Sequence, residues 1–163
     1  MYIANKYWNH YIGDTDDSMA LVEYLAEKQK EELSVGEIFS DFGLDKLDGD
    51  FRQPEIPIVY ENDRGMEIPI YYAIDLLVDL AALLLECKVN GTVNLCELFG
   101  DERETAVPDV CIMAAPAEYE QIHKVLADFA AEPLAYDLSE MCPKEDMLEM
   151  AALCEELRKE LCE

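Results

Sequence analysis

Basic side chains are scarce. Twelve lysines and arginines stand against 37 aspartates and glutamates, a formal net charge of −25 over 163 residues. The excess is not gathered in a tail: residues 1–70 carry 6 basic against 16 acidic side chains, 71–139 carry 3 against 13, and 140–163 carry 3 against 8. A field of that sign repels nucleic acid and anionic membrane surfaces, and it attracts cations and basic proteins. Neither nucleic acid nor a membrane is expected as a partner. Catalytic signatures are missing too. The seven glycines never assemble a phosphate-binding loop, and none of the four serines sits in GxSxG. His10 and His123 are the only histidines, and neither belongs to a paired zinc motif.

The six cysteines, Cys87, Cys96, Cys111, Cys142, Cys154 and Cys162, include no CxxC pair and no regular disulfide spacing. Cys154 and Cys162 fall on one predicted helix, where eight residues rise by about 12 Å, beyond the reach of a disulfide. Free thiols in a reducing cytoplasm are expected. The opening MYIANKYWNHYIG lacks the long apolar region of a secretory signal. The most apolar stretch is too interrupted for a bilayer span, which needs about 20 such residues.

What is present is enough apolar material for a core. The hydrophobic fraction of 51% argues against disorder in spite of the charge. The length suits a single domain over residues 1–163. The fold class expected is α+β, mainly helical, built around an apolar helix at 70–87, IYYAIDLLVDLAALLLEC. Tyr71, Ile74, Leu77, Val78, Ala81, Leu84 and Leu85 recur there at spacings of three and four and so share one side. Asp75, Asp79 and Glu86 fall together opposite them and read as a solvated face.

Five further helices are predicted. Asp14 or Thr15 caps one at 16–33, with Asp16 and Asp17 in its first turn and Met19, Val22, Leu25 and Ala26 inward. Ser34 and Glu37 have capping-box spacing and open a short helix at 35–42, stopped by Gly43. Others lie at 93–99, at 116–131 with Tyr119, Ile122, Leu126 and Phe129 inward, and at 143–161. In the last, Met147, Met150, Cys154, Leu157 and Leu161 form a seam of two heptads. It suits packing within the domain better than a coiled coil. Runs at 56–60 and 66–70 around ENDRG read as a hairpin, with Pro57 and Pro69 restricting its strands to edges or ends. Short strands are expected at 110–114 and 134–138, and residues 101–109 form an acidic loop.

No cofactor and no bound metal is expected, although Asp75 and Asp79, one turn apart, could contribute to a cation site if another helix supplied more carboxylates. Cys142, near a helix N-terminus, could carry an activated thiol. The N-terminal segment is the best candidate for function. Tyr7, Trp8 and Tyr11 supply aromatic anchors beside the charges of Asp14, Asp16 and Asp17, the combination that a protein-binding surface uses. The competing reading folds those rings onto the core and leaves the aspartates to cap a helix. The loop bearing Glu61 and Asp63 is the next acidic face in line.

The small size, the acidity, the lack of a catalytic motif and the opening YWNHYIGDTDDS at residues 7–18 resemble the immunity proteins of bacterial polymorphic toxin systems. The resemblance implies a cytoplasmic, non-enzymatic protein that occludes the active site of a cognate toxin, often a basic nuclease. It carries over no individual functional position. Two other classes stay open at this point: a metal-dependent enzyme using clustered carboxylates, and a regulatory or structural subunit associating through its C-terminal helix.

Overall fold

Helix α4, Ala73–Asn90, is the axis of the computed structural model, which describes residues 1–99 and 107–163. The helix starts three residues later than its predicted position at 70. Ile70 is spent closing a strand, and Tyr72 is the extended N-cap. Tyr71, expected in the core, therefore lies outside the helix and is 62% exposed.

Every residue from Ala73 to Glu86 is buried, including Leu77 and Leu84 at 0% exposure. That overturns the solvated face. Asp75, Asp79 and Glu86 are 4%, 2% and 2% exposed. The physical reason is that these are the only charges in the span, so no side of the helix is polar enough to favour water, and a helix apolar all round is buried all round. Helices α1 (Tyr2–Lys6) and α2 (Asp16–Lys28) pack on α4, as do α6 (Pro116–Ala131) and α7 (Lys144–Cys162).

The β structure is minor, as expected for a mainly helical α+β chain. β1 (Glu32–Ser34) runs parallel to β4 (Cys111–Met113), with Leu33 opposite Ile112. β2 (Ile58–Glu61) and β3 (Glu67–Ile70) form the antiparallel hairpin, with Val59 opposite Pro69. With two strands, each sheet has a free edge on both sides, so the missing N–H of Pro69 is tolerated.

The helix predicted at 16–33 stops at Lys28. Gln29 turns left-handed at φ 52°, and Leu33 goes into β1 with 1% exposure. The chain must be extended there because Ser34 caps α3 (Val35–Phe42), accepting the Glu37 N–H at 3.1 Å. Gly43 at φ 75° ends that helix. Met19, expected inward, is 52% exposed, while Val22, Leu25 and Ala26 are buried. Of the helix expected at 93–99, only α5 (Leu95–Phe99) forms, because Val93 bridges to Val110.

No strand forms at 134–138. Two 3-10 turns, Pro133–Ala135 and Asp137–Glu140, occupy it, closed by Tyr136 N–H to the Pro133 carbonyl (3.3 Å) and Met141 N–H to that of Leu138 (3.0 Å). Most of the acidic loop at 101–109, through residue 106, lies outside the described residues. Met147, Met150, Cys154, Leu157 and Leu161 are all buried in α7, which packs on α6 and α4, so the heptad seam is spent inside the chain. All six cysteines are free. Among the described residues no helix is long and apolar enough to cross a membrane.

Candidate partner-binding face

The carboxylates of α4 hold the N-terminal segment in place. Glu86 accepts the Ile3 N–H at 2.9 Å, and Asp79 accepts the Gly13 N–H at 2.9 Å. From α2, Asp17 accepts the N–H groups of Tyr71 and Tyr72, both at 2.9 Å, and so satisfies backbone donors at the entry to α4. Thr15 is the N-cap of α2, its hydroxyl accepting the Ser18 N–H at 3.0 Å.

Between these anchors the chain is tightly wound. Asn9, Tyr11 and Gly13 all have positive φ, at 70°, 64° and 76°. The alternation turns Trp8 and Ile12 inward, at 3% and 0% exposure, and leaves His10 and Tyr11 outside. Gly13 is required twice over, since a Cβ there would run into the Trp8 ring. Tyr11 has no such excuse. A bulky side chain with positive φ is strained by about 1–3 kcal/mol. Its hydroxyl donates to Glu149 Oε2 at 2.8 Å and lies 3.3 Å from Asp146 Oδ1. The bond to Glu149, ahead of burial, pushes its phenol up to about 12.

Tyr11 stands at a cleft of about 510 Å³, whose walls include His10, Asp14, Asp75, Cys142 and Glu149. Leu138 and Met150 supply an apolar patch, and among the described residues no lysine or arginine lines it. Met141, next to Cys142 in the chain, is 72% exposed. The carboxyl of Asp75 is pushed up to about 8, first by burial and then by the charges of Asp79, Asp17 and Asp137. Its hydrogen bond with Asp17 raises Asp75 and lowers Asp17, which identifies Asp75 as the protonated donor. Burial likewise pushes Asp79 up to about 7, against the hydrogen bond from the Gly13 N–H. The inner wall of the cleft is thus a neutral acid at pH 7, while its rim is charged. Cys142 is not activated: burial, then the charges of Asp75 and Asp146, push its thiol up.

Of the residues singled out from sequence, Tyr11 and Asp14 meet in this cleft, and Asp16 is exposed on the first turn of α2. Tyr7, Trp8 and Asp17 are buried, at 0%, 3% and 2% exposure, and present no surface. Glu61 and Asp63 are exposed elsewhere, lining a pocket of about 340 Å³ with Glu27 and Asp41. That pocket is partly neutralised by its own Lys28, 2.8 Å from Asp41.

Sequence reasoning read Asp75 as part of a solvated face, or as a cation ligand, and missed Asp146 and Glu149. The last two lie three apart on α7, off the apolar seam, and attention to the seam alone passed over them.

The cleft offers carboxylates, an aromatic ring and an apolar patch, a set suited to holding a cation-bearing surface. No curated protein and no solved structure matches the chain. The model of the family described as Immunity protein 68 (Imm68), however, matches residues 2–161 of the 163, and the chain belongs to that family.

Proposed function

We propose that the chain confers immunity by binding a cognate toxin with a basic surface, and that it does so through the cleft between the N-terminal segment and the start of α7. One observation carries the reading. A strained Tyr11 is held outward beside a cleft bearing Asp14 and Glu149, with no lysine or arginine among the described residues of its walls. Backbone strain of this kind persists where the surrounding structure enforces it, and it collects at binding sites.

Tyr11 is the anchor, with Met141 beside the cleft as a second apolar contact. Asp14, Asp16, Asp146 and Glu149 meet the toxin's lysines and arginines. Glu61 and Asp63 contribute to the long-range field rather than to the contact. Tyr7, Trp8 and Asp17 act from within, by fixing the segment that presents Tyr11. The protein works as a stoichiometric inhibitor in the cytoplasm, covering the toxin rather than transforming a substrate, and nucleic acid is not its partner.

The test is association kinetics with a purified cognate toxin. Reversing Asp14 and Glu149 to lysine together is expected to slow association at least tenfold at low salt and to flatten its salt dependence. Tyr11→Ala is expected to act mainly on dissociation, because an anchor works after encounter. Reversing Glu61 and Asp63 instead should have the smaller effect. If that second pair abolishes binding while the first leaves it intact, the interface is the hairpin pocket and not this cleft.

A further inference from the structure

Two of the six cysteines lie beside one another in the fold. Cys87 lies in the last turns of α4, and Cys111 begins β4. The Cys87 sulfur accepts the Ile112 N–H at 3.3 Å and lies 3.8 Å from the Val110 carbonyl oxygen, to which its thiol donates. Those two groups flank Cys111 in the chain, so the Cys87 sulfur sits against the backbone on either side of Cys111. The strand cannot drift from this position. Val93 and Val110 exchange backbone hydrogen bonds at 2.7 and 3.0 Å, and the Cys111 N–H reaches the Glu31 carbonyl at 2.8 Å. Both cysteines are partly exposed, so a small oxidant reaches them. A disulfide requires closely approaching Cβ atoms, and a sulfur already held against both peptide groups that flank Cys111 has only a short way to go.

We propose that Cys87 and Cys111 are a redox pair, closing to an intramolecular disulfide on exposure to a peroxide and reopening with a dithiol reductant. The Cys111 thiolate attacks one oxygen of hydrogen peroxide. The O–O bond breaks, the sulfur becomes a sulfenic acid, and the departing hydroxide takes a proton to leave as water. The Cys87 sulfur then attacks the sulfenic sulfur and loses its proton, and the S–O bond breaks to release a second water. Two thiols are oxidised by two electrons and one peroxide is reduced to two waters. Burial pushes the Cys87 thiol up to about 11, which makes it the poorer first nucleophile and suits it to the resolving step. The closed bond ties the end of α4 to β4 and limits the unfolded chain between residues 87 and 111.

The experiment uses the full chain, treated with a small excess of hydrogen peroxide, alkylated, and digested with trypsin without reduction. Lys88, Arg103, Lys124, Lys144 and Lys159 separate the cysteines, so each of the six falls in its own peptide. The expected product links the Cys87 and Cys111 peptides, leaves the other four cysteines alkylated, and melts at a higher temperature than the untreated protein until dithiothreitol is added. Cys162, exposed at the end of α7, is the competitor that the peptide map has to exclude. Cys162→Ser is expected to leave the link intact, and Cys111→Ser to abolish it. Six alkylated cysteines after treatment, a link running to Cys162, or sulfinic acid on Cys111 without any link would each overturn the proposal. The wild-type peptide map decides the matter even if Cys111→Ser misfolds.

Discussion

Tyr11 shows how a single residue can be costly to the fold and still be kept. At φ 64° its Cβ crowds the backbone, where an L-residue loses about 1–2 kcal/mol relative to glycine. Its hydroxyl bonds lie at the surface and return little of that. Tyr11→Gly is therefore expected to leave the urea midpoint unchanged or raise it, while dissociation from the toxin accelerates. A clear loss of stability would mean that the ring supports the fold and that its strain has another cause. Trp8 and Asp17 predict the reverse. Trp8 is 3% exposed against Gly13, so Trp8→Ala should cost about 3–5 kcal/mol, the usual range for a core tryptophan. Asp17→Lys would strand the N–H groups of Tyr71 and Tyr72 and bury an unpaired charge; it is expected to unfold the chain rather than only to weaken binding. Circular dichroism of the two variants before any binding assay distinguishes these outcomes.

At the scale of elements, α4 was the easiest feature to read from the chain and also the source of the main error. Its apolar periodicity places Leu77 and Leu84 at the centre, where they sit at 0% exposure. Truncating either to alanine should cost about 2–5 kcal/mol in denaturant unfolding. The capped helix α3, the hairpin, α6 and α7 were legible for similar reasons, since each combines a clear period with a local stop or turn signal. The N-terminal segment was not. Residues 7–13 have neither a helical nor a strand period, because Asn9, Tyr11 and Gly13 alternate into the left-handed region and only the last is a glycine. The acidic stripe of α4 misled because three carboxylates on one side suggest water. They instead accept N–H groups or hydrogen-bond to neighbours that approach only in the folded chain.

That buried stripe makes stability depend on pH. The Asp75 carboxyl titrates near 8 when folded and near 3.9 in an unfolded chain. Between those values the native state holds the extra proton, so the contribution is complete below about pH 4 and is lost as pH rises through 8. Asp79, raised to about 7, acts in the same direction. Carboxylates held low, such as Glu155 beside Arg158 at about 2, lose their contribution only in acid and leave this window alone. The urea midpoint should therefore fall between pH 5 and pH 8.5. Asp75→Asn keeps a donor toward Asp17 without an ionisable proton, so it should match wild type at pH 5 and exceed it at pH 8.5. An equal deficit at both values would show that Asp75 serves packing and not titration.

Over the whole molecule, the few cations are largely engaged. Lys28 pairs with Asp41 at 2.8 Å, Lys30 with Glu37 at 2.7 Å and Arg158 with Glu155 at 2.7 Å. Arg52 grips Asp128 through two nitrogens at 2.8 and 2.5 Å, and Lys88 reaches the carbonyls of Glu160 and Leu161 near the end of α7. These bonds tie down charge without changing the total, and a net −25 acts outward on a partner and inward on the fold alike. Salt should therefore move two measurements in opposite directions. Screening relieves self-repulsion, so the thermal midpoint of the free protein should rise as sodium chloride increases, most steeply below about 0.1 M, where the screening length falls to about 10 Å. If the toxin is basic, as proposed, the same screening removes steering toward it, and the association rate should fall, from as much as about 10⁸ M⁻¹s⁻¹ toward about 10⁵–10⁶ for an unsteered pair. Sodium sulfate also strengthens apolar burial, whereas chloride at these concentrations acts chiefly by screening, and that makes chloride the cleaner probe. A midpoint that rises with salt while association stays flat would leave the charge serving solubility alone, with recognition resting on Tyr11 and the apolar patch of the cleft.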